Sequence, residues 1–283
     1  MIESVNRKWE EVSLVNNLKW EYKILNNDIP ILTSEDYWKY PDKVSDFFRN
    51  GYWWDNHSDD NVRPGKSFHI QDEVLDWFNL PINKSISPLF GLKNFKGVCT
   101  FGNCFSSNMP LTCPESVFPH VDLDDSLPLS EDTHLALNIN ITKTDTPVQT
   151  GFWTFNNLRS ALEFSHNDKA IFRDFFYKMG KNALSDNATW FQIEDYGPWK
   201  FADKVDMCYN SIVVYPSHFF HNPILKDTWF DDHDRVTISS FLNTSPSDLD
   251  FPQKDIDHIS YAWEFFHLDK IHNYHPHKTK VPV

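Results

Sequence analysis

His120 and Asp122 stand two residues apart at the end of the run Ser116 to Asp122. In an extended backbone, residues i and i+2 point to one face, so this imidazole and this carboxylate can meet a single metal ion. A second imidazole is offered far downstream, in Val213-Val214-Tyr215-Pro216-Ser217-His218-Phe219-Phe220-His221. Two histidines and one carboxylate on one face, with the other coordination positions open, form the donor set that suits non-haem Fe(II) and oxygen chemistry.

The chain contains four His-x-Asp pairs, and setting separates them: His57/Asp59, His120/Asp122, His166/Asp168 and His267/Asp269. His57 falls in a polar loop. His166 and His267 fall in segments that read as helical, where i and i+2 do not share a face. Only His120/Asp122 ends an apolar extended run and precedes a series of strands. His218 and His221 are three residues apart, so on a strand they face opposite ways and at most one can be a ligand. Farther on, Arg235 and Thr237 share a face of Asp234-Arg235-Val236-Thr237-Ile238-Ser239-Ser240-Phe241. A guanidinium facing into a barrel needs a carboxylate, because a buried unpaired charge is costly, and its fork matches a carboxylate bidentately. That carboxylate is either a bound acid or a rim residue such as Asp231, Asp232 or Asp234.

The elements that must position these groups are mostly strands. Residues 1 to 33 read as a lead-in helix and an edge strand. A helix starts near Tyr40-Pro41-Asp42, runs through Val44, Phe47 and Phe48, and ends at Gly51. Gly51 to Trp54 is extended, Arg63-Pro64-Gly65-Lys66 is a turn, and a short amphipathic helix passes through Val74, Leu75 and Phe78. From about Lys96, short β-branched and aromatic runs follow one another: 97–105, 116–122, 134–142 and 149–155. A helical insertion bearing Ile171, Phe172, Phe175, Phe176 and Met179 intervenes. Strands resume at 190–194, 200–205, 211–215, 219–224 and 235–242. A last amphipathic helix (Ile259, Ala262, Trp263, Phe266) precedes a tail rich in His and Lys. The pattern predicts one mainly β (α+β) domain over 1–283, a jelly-roll or double-stranded β-helix barrel buttressed by helices. Within it, 1–95 is the lead-in, 96–243 the barrel with its insertion at 156–203, and 244–283 the C-terminal helix and tail.

Composition narrows the function classes. A net charge of −14 opposes binding to nucleic acid, which needs a basic stripe, and mildly favours a cationic partner. Aromatic residues make up 16% of the chain, enough for a core of large flat side chains. No long apolar run suggests a membrane span, and the charged N-terminus does not read as a signal peptide. Cys99, Cys104, Cys113 and Cys208 show no CxxC spacing and read as small buried apolar residues in a reducing, cytoplasmic setting.

The ordered set His120-x-Asp122, Pro216-Ser217-x-x-x-His221 and Arg235-x-Thr237 resembles the Fe(II)- and 2-oxoglutarate-dependent oxygenase superfamily, in particular its prolyl-hydroxylase-like branch. The resemblance spans roughly residues 30 to 243. Gly151-Phe152-Trp153-Thr154-Phe155 falls where such proteins carry a Gly-bearing aromatic strand. Val62 to His69 resembles a little-characterised branch with the same barrel. The resemblance implies that His120, Asp122 and His221 bind Fe(II), with His221 favoured over His218 because the family histidine lies five residues past the proline. It further implies that Arg235, helped by Thr237, holds the distal carboxylate of 2-oxoglutarate, and that Tyr215 or Tyr209 contacts the same co-substrate. The implied activity is hydroxylation of a small-molecule or peptide substrate by molecular oxygen, with 2-oxoglutarate decarboxylated to succinate.

Two features depart from that pattern. Val148-Gln149-Thr150-Gly151 lacks the acid of the branch's Gly-Gly-acid motif, and the insertion matches no known element. A carboxylate at Asp122 argues against a halogenase, which leaves that position to a halide. Two other readings fit the same residues. One is a barrel that keeps the metal site but acts as a binding or scaffolding module. The other is a cupin-like metalloenzyme that does not use 2-oxoglutarate, in which Arg235 pairs with a protein carboxylate. Tyr37, Trp38, Trp53, Trp54, Phe172, Phe175 and Phe176 either line a cleft or pack a core.

Overall fold

Strands form where Val, Ile, Phe and Tyr concentrate, because such side chains fill a pleated, buried surface. The computed structural model describes residues 18–26, 29–49, 54–55, 66–69, 96–105, 119–122, 135–143, 145, 148–165, 167–172, 197–224 and 235–243. The strands among them are β1 (Glu21–Leu25), β2 (Ile29–Ser34), β3 (Trp54–Asp55), β4 (Lys66–His69), β5 (Lys96–Phe105), β6 (Leu135–Asn140), β7 (Val148–Phe155), β8 (Trp199–Met207), β9 (Ile212–Pro216), β10 (His221–Ile224) and β11 (Arg235–Asn243). They make two sheets, one ordered β1-β2-β9-β6-β11-β5-β4-β3 and the other β10-β7-β8. Every strand pairing among the described residues is antiparallel. The two sheets meet through Tyr215 of β9, whose ring packs edge-on against Phe152 of β7 with centroids 5.3 Å apart. This is the mainly β, jelly-roll-type architecture expected from the sequence.

Register decides which residues look into the barrel. Directly opposed residues on antiparallel strands share a face. Tyr215 opposes Ala136, Asn138 opposes Ser239, and Asn140 opposes Thr237. With the period of two along each strand, one inner row therefore holds Tyr215, Ala136, Asn138, Asn140, Arg235, Thr237 and Ser239. The alternate residues Leu137, Ile139, Val214, Val236 and Ile238 occupy the other face and are also buried.

The sequence expectation for 116–122 was a full strand. Its described part is a single bridge, His120 to His221, which places His120 beside the edge of β10. The helix α1 (Pro41–Arg49) begins with proline, which needs no amide partner there, and carries Asp42 in its first turn. Its Val44 is fully buried, and Ser45 Oγ donates to the Ile141 carbonyl at 3.2 Å. Tyr37 and Trp38 are core residues, tied by backbone and side-chain hydrogen bonds to Asn210.

The start of the insertion covers the outside of the smaller sheet. Trp153, Phe155, Trp199 and Phe220 form a buried cluster, with Phe164, Phe172 and Phe201 packed against it. Phe172 is thus half-buried against the core cluster, and the buried Arg159–Glu163 ion pair (3.1 Å) braces the same segment. β8 takes in Trp199 to Asp203, so the chain re-enters the sheet before the expected end of the insertion. Cys208 is exposed rather than buried, which corrects the expectation for that cysteine. The proposed helices near 74–78 and 259–266, the strand at 190–194, Trp53, Phe175, Phe176 and the 63–65 turn lie outside the described residues, as do the side chains of Trp54, Cys99 and Cys104. No helix among the described residues is long and apolar enough to cross a membrane.

Candidate metal centre

Backbone hydrogen bonds stitch the two distant histidine segments together. His120 N–H donates to the His221 carbonyl at 2.9 Å, and His221 N–H returns to the His120 carbonyl at 2.9 Å. Asp122 N–H donates to the Ser217 carbonyl, also at 2.9 Å. Because His120 and His221 are bridge partners, their side chains share a face, and Asp122 joins them by the period of two. The imidazole centroids are 4.7 Å apart. Asp122 Oδ2 lies 3.0 Å from His221 Nε2, and Asp122 Oδ1 lies 3.9 Å from His120 Nε2. One donor atom from each residue falls within 4.8 Å of the others, so the three could hold one metal ion.

The turn before His221 aims its ring. Phe219 N–H bonds back to the Pro216 carbonyl at 3.3 Å, and His221 Nδ1–H donates to the Phe219 carbonyl at 2.9 Å. A carbonyl can only accept, so this bond commits a proton to Nδ1, and in the neutral imidazole the Nε2 lone pair faces Asp122 and His120. Tyr215 packs against that ring at a tilt, with centroids 4.7 Å apart. Side-chain exposure rises from 5% at His221 through 15% at Asp122 to 29% at His120, so the cluster opens on the His120 side.

Electrostatics in the cluster follow from this geometry. Burial pulls the His221 imidazolium down, but the neighbouring Asp122 carboxylate and the bonds to Asp122 and the Phe219 carbonyl carry its pKa above the ordinary 6.5. His218 takes the other direction. Its Nδ1 is hydrogen-bonded to Ser160 Oγ at 2.7 Å, and its carbonyl accepts from Ala161 N–H at 3.0 Å. His218 thereby anchors the start of the insertion from a turn, since β10 begins only at His221.

Arg235 and Thr237 lie on the inner row. Arg235 is 7% exposed, and Nη1 donates to Thr237 Oγ1 at 3.3 Å while Nε has no hydrogen-bond partner among the described residues. No carboxylate among the described residues pairs with it, and burial lowers its pKa from 12.5 to about 10, with Tyr215 opposing the drop. Even so, it is a cation at neutral pH. Asp231, Asp232 and Asp234 lie outside the described residues. Tyr209 is not part of this cluster: its hydroxyl donates to exposed Asp42, whose carboxyl Lys143 and Tyr209 hold below the usual 3.8. Tyr215 therefore remains as the tyrosine near the site.

Two inner-row residues escaped the sequence reading. Asn138 Nδ2 donates to the Tyr215 hydroxyl at 3.0 Å, and Ser239 Oγ donates to Asn138 Oδ1 at 2.6 Å. The available signal was the alternation in Ala136-Leu137-Asn138-Ile139-Asn140 and Arg235-Val236-Thr237-Ile238-Ser239. In a strand buried on both faces, a polar row with a period of two marks the side that must satisfy polar partners.

No protein-family model matches this sequence, and comparison with curated proteins finds no similar one. Solved structures give distant likenesses. HygX from Streptomyces hygroscopicus, with nickel, 2-oxoglutarate and hygromycin B bound, aligns at a TM-score of 0.46 and 7% identity, over 76% of this chain and 82% of its own. The Kdo hydroxylase KdoO, a non-heme Fe(II) α-ketoglutarate-dependent dioxygenase in complex with α-ketoglutarate and Fe(III), aligns at 0.35 and 13%, over 72% of each chain. The viral collagen prolyl hydroxylase of Paramecium Bursaria Chlorella virus-1, as its 2-oxoglutarate complex, aligns at 0.35 and 7%, over 64% of this chain and 79% of its own. At these levels, what the cluster can do rests on its own geometry.

Proposed function

We propose that this protein is an Fe(II)- and 2-oxoglutarate-dependent dioxygenase that hydroxylates a small-molecule or peptide substrate. One observation carries the reading: a His-Asp-His face and a buried arginine without a carboxylate partner among the described residues line the same barrel interior, joined by Tyr215. The donor set fits a first-row divalent ion. Adjacent donors on such an ion, with bonds of about 2.1 Å, lie about 3 Å apart, and His221 Nε2 and Asp122 Oδ2 are 3.0 Å apart. The carbonyl-held Nδ1 of His221 adds the outer hydrogen bond that metal-bound histidines usually make.

In this reading His120, Asp122 and His221 hold Fe(II), and Arg235 clamps the distal carboxylate of 2-oxoglutarate with its Nε. Because Thr237 Oγ1 accepts from Arg235, its own hydrogen is directed elsewhere and adds a donor for that carboxylate. Bound there, Fe(II) supplies the activation of oxygen that couples decarboxylation of 2-oxoglutarate to oxidation of a C–H bond. The balance is one C–H bond, O2 and 2-oxoglutarate giving C–OH, succinate and carbon dioxide. Tyr215 and Phe152 wall the inner side against water, and the His120 side is left for substrate entry. The acidic chain favours a substrate with a cationic group.

The test is succinate formation by purified protein supplied with Fe(II), 2-oxoglutarate and oxygen, compared with Asp122→Ala. Slow metal-dependent turnover without a prime substrate supports the reading. Failure either to bind 2-oxoglutarate or to convert it removes the oxygenase assignment, and retained metal would then favour a binding module.

A further inference from the structure

We propose that the segment after β7, Leu158 to Glu163, positions His221 by holding the peptide between Phe219 and Phe220. The inference rests on the metal-centre part of the proposed function and adds Arg159 and Ser160, which stand outside the cluster. Asn156 and Asn157 take left-handed φ values of 51° and 66°, so the chain reverses at once after β7. Phe155 and Leu158 exchange hydrogen bonds of 2.7 and 2.9 Å across that turn. The returning segment then meets the turn before His221, where Ser160 bridges Phe219. Ala161 N–H donates to the His218 carbonyl at 3.0 Å, and Phe220 N–H donates to the Arg159 carbonyl at 3.3 Å.

The last of these bonds reaches the metal ligand through one planar unit. In a trans peptide the N–H and C=O point in opposite directions. The unit that gives its N–H to Arg159 is trans, so it turns the Phe219 carbonyl the other way, where His221 Nδ1–H meets it at 2.9 Å. The next unit, between Phe220 and His221, is fixed by the strands around it. Its carbonyl accepts from Trp153 N–H at 3.0 Å, and its N–H bonds to the His120 carbonyl. The backbone of His221 thus belongs to the sheet, while the acceptor that orients its ring is set by the 158–163 segment. Two buried contacts hold that segment in register. Ser160 Oγ is hydrogen-bonded to His218 Nδ1 at 2.7 Å, and the Arg159 guanidinium, paired with Glu163, lies 5.9 Å from the centre of the Phe219 ring. The outer hydrogen bond of a metal-bound histidine fixes its orientation, and disturbing it typically costs about 10- to 100-fold in metal affinity.

Co(II), which shifts the N–H protons of its histidine ligands far outside the ordinary proton NMR range, tests this on the full chain. In the unaltered protein the His221 signal should exchange with D2O more slowly than that of His120, whose side chain is 29% exposed against 5%. Ser160→Ala and Arg159→Met should each displace the slow signal, speed its exchange about tenfold and weaken Co(II) binding about tenfold. Val44→Ala, which opens a cavity in the core beside α1, should lower stability while leaving the slow signal and the Co(II) affinity unchanged. A slow signal unmoved in Ser160→Ala, or moved as far in Val44→Ala, would overturn the positioning role. If Arg159→Met does not fold, Ser160→Ala decides alone. An unaltered protein that binds no Co(II) overturns the metal-centre reading, and this inference with it.

Discussion

Replacing Arg235 by methionine should stabilise the ligand-free protein and abolish its response to 2-oxoglutarate. Burial lowers the arginine's pKa from 12.5 to about 10. At 1.36 kcal/mol per pH unit, this is about 3 kcal/mol by which the interior disfavours the cation, felt in full at neutral pH because that lies below both values. Methionine keeps an unbranched apolar stem of similar reach. The hydrogen bond to Thr237 is lost, at a cost of about 1 kcal/mol. The net gain of about 1 to 2 kcal/mol corresponds to a rise of about 2 to 4 °C in Tm for a chain of this size. Ligand behaviour should move the other way. For the unaltered protein, 2-oxoglutarate at a hundredfold excess over Kd adds about 2.7 kcal/mol. Removing one partner of a buried charge pair costs about 3 to 5 kcal/mol, so the variant's Kd should rise at least about a hundredfold. Thermal melts with Mn(II), with and without 2-oxoglutarate, read both effects. A variant that melts well below the parent while keeping its 2-oxoglutarate shift would refute the argument.

Other consequences are open to direct measurement. Asp122→Ala should lose Mn(II) binding, seen as disappearance of the metal-induced rise in Tm, because two imidazoles alone lack the charge and the third donor. Metal affinity should increase from pH 6 to pH 8, since the raised pKa of His221 means that a proton must leave Nε2 before metal binds. In the metal-free protein the same group contributes stability that is complete below about 6.5 and is lost as pH rises through its higher folded value, so calorimetric melts from pH 6 to 8 should show that contribution decline. Gly151→Ala should destabilise by about 1 to 3 kcal/mol in urea unfolding. Its Cβ would lie 2.9 Å from both Asn222 Oδ1 and Ile224 Cγ1, displacing the acceptor of the 2.6 Å bond from Trp153 Nε1 beside His221.

The order of the site motifs was readable because each sits on an element whose face follows from period two. His120 and Asp122, and again Arg235 and Thr237, are pairs whose shared orientation is a local matter. The spacing of His218 and His221 admits only one of them to the cluster, the resemblance favours His221, and the Phe219 carbonyl and Ser160 take the two rings in different directions. The convergence of segments a hundred residues apart is a matter of register, which a single sequence does not display. Asn138 and Ser239 were missed for that reason, since their meaning depends on being cross-strand partners. That Asp42 takes the Tyr209 hydroxyl is likewise visible only in the fold, since the two residues are far apart in the sequence. Phe172 reads more readily as packing than as lining, and Phe155 and Phe220 lie against it.

The most direct test of the central claim is a crystal structure of the protein grown with Mn(II) and 2-oxoglutarate. One metal ion should be bonded to His120, Asp122 and His221, with the far carboxylate of the ligand against Arg235. Metal bound elsewhere, or a protein carboxylate filling the place beside Arg235, would contradict it.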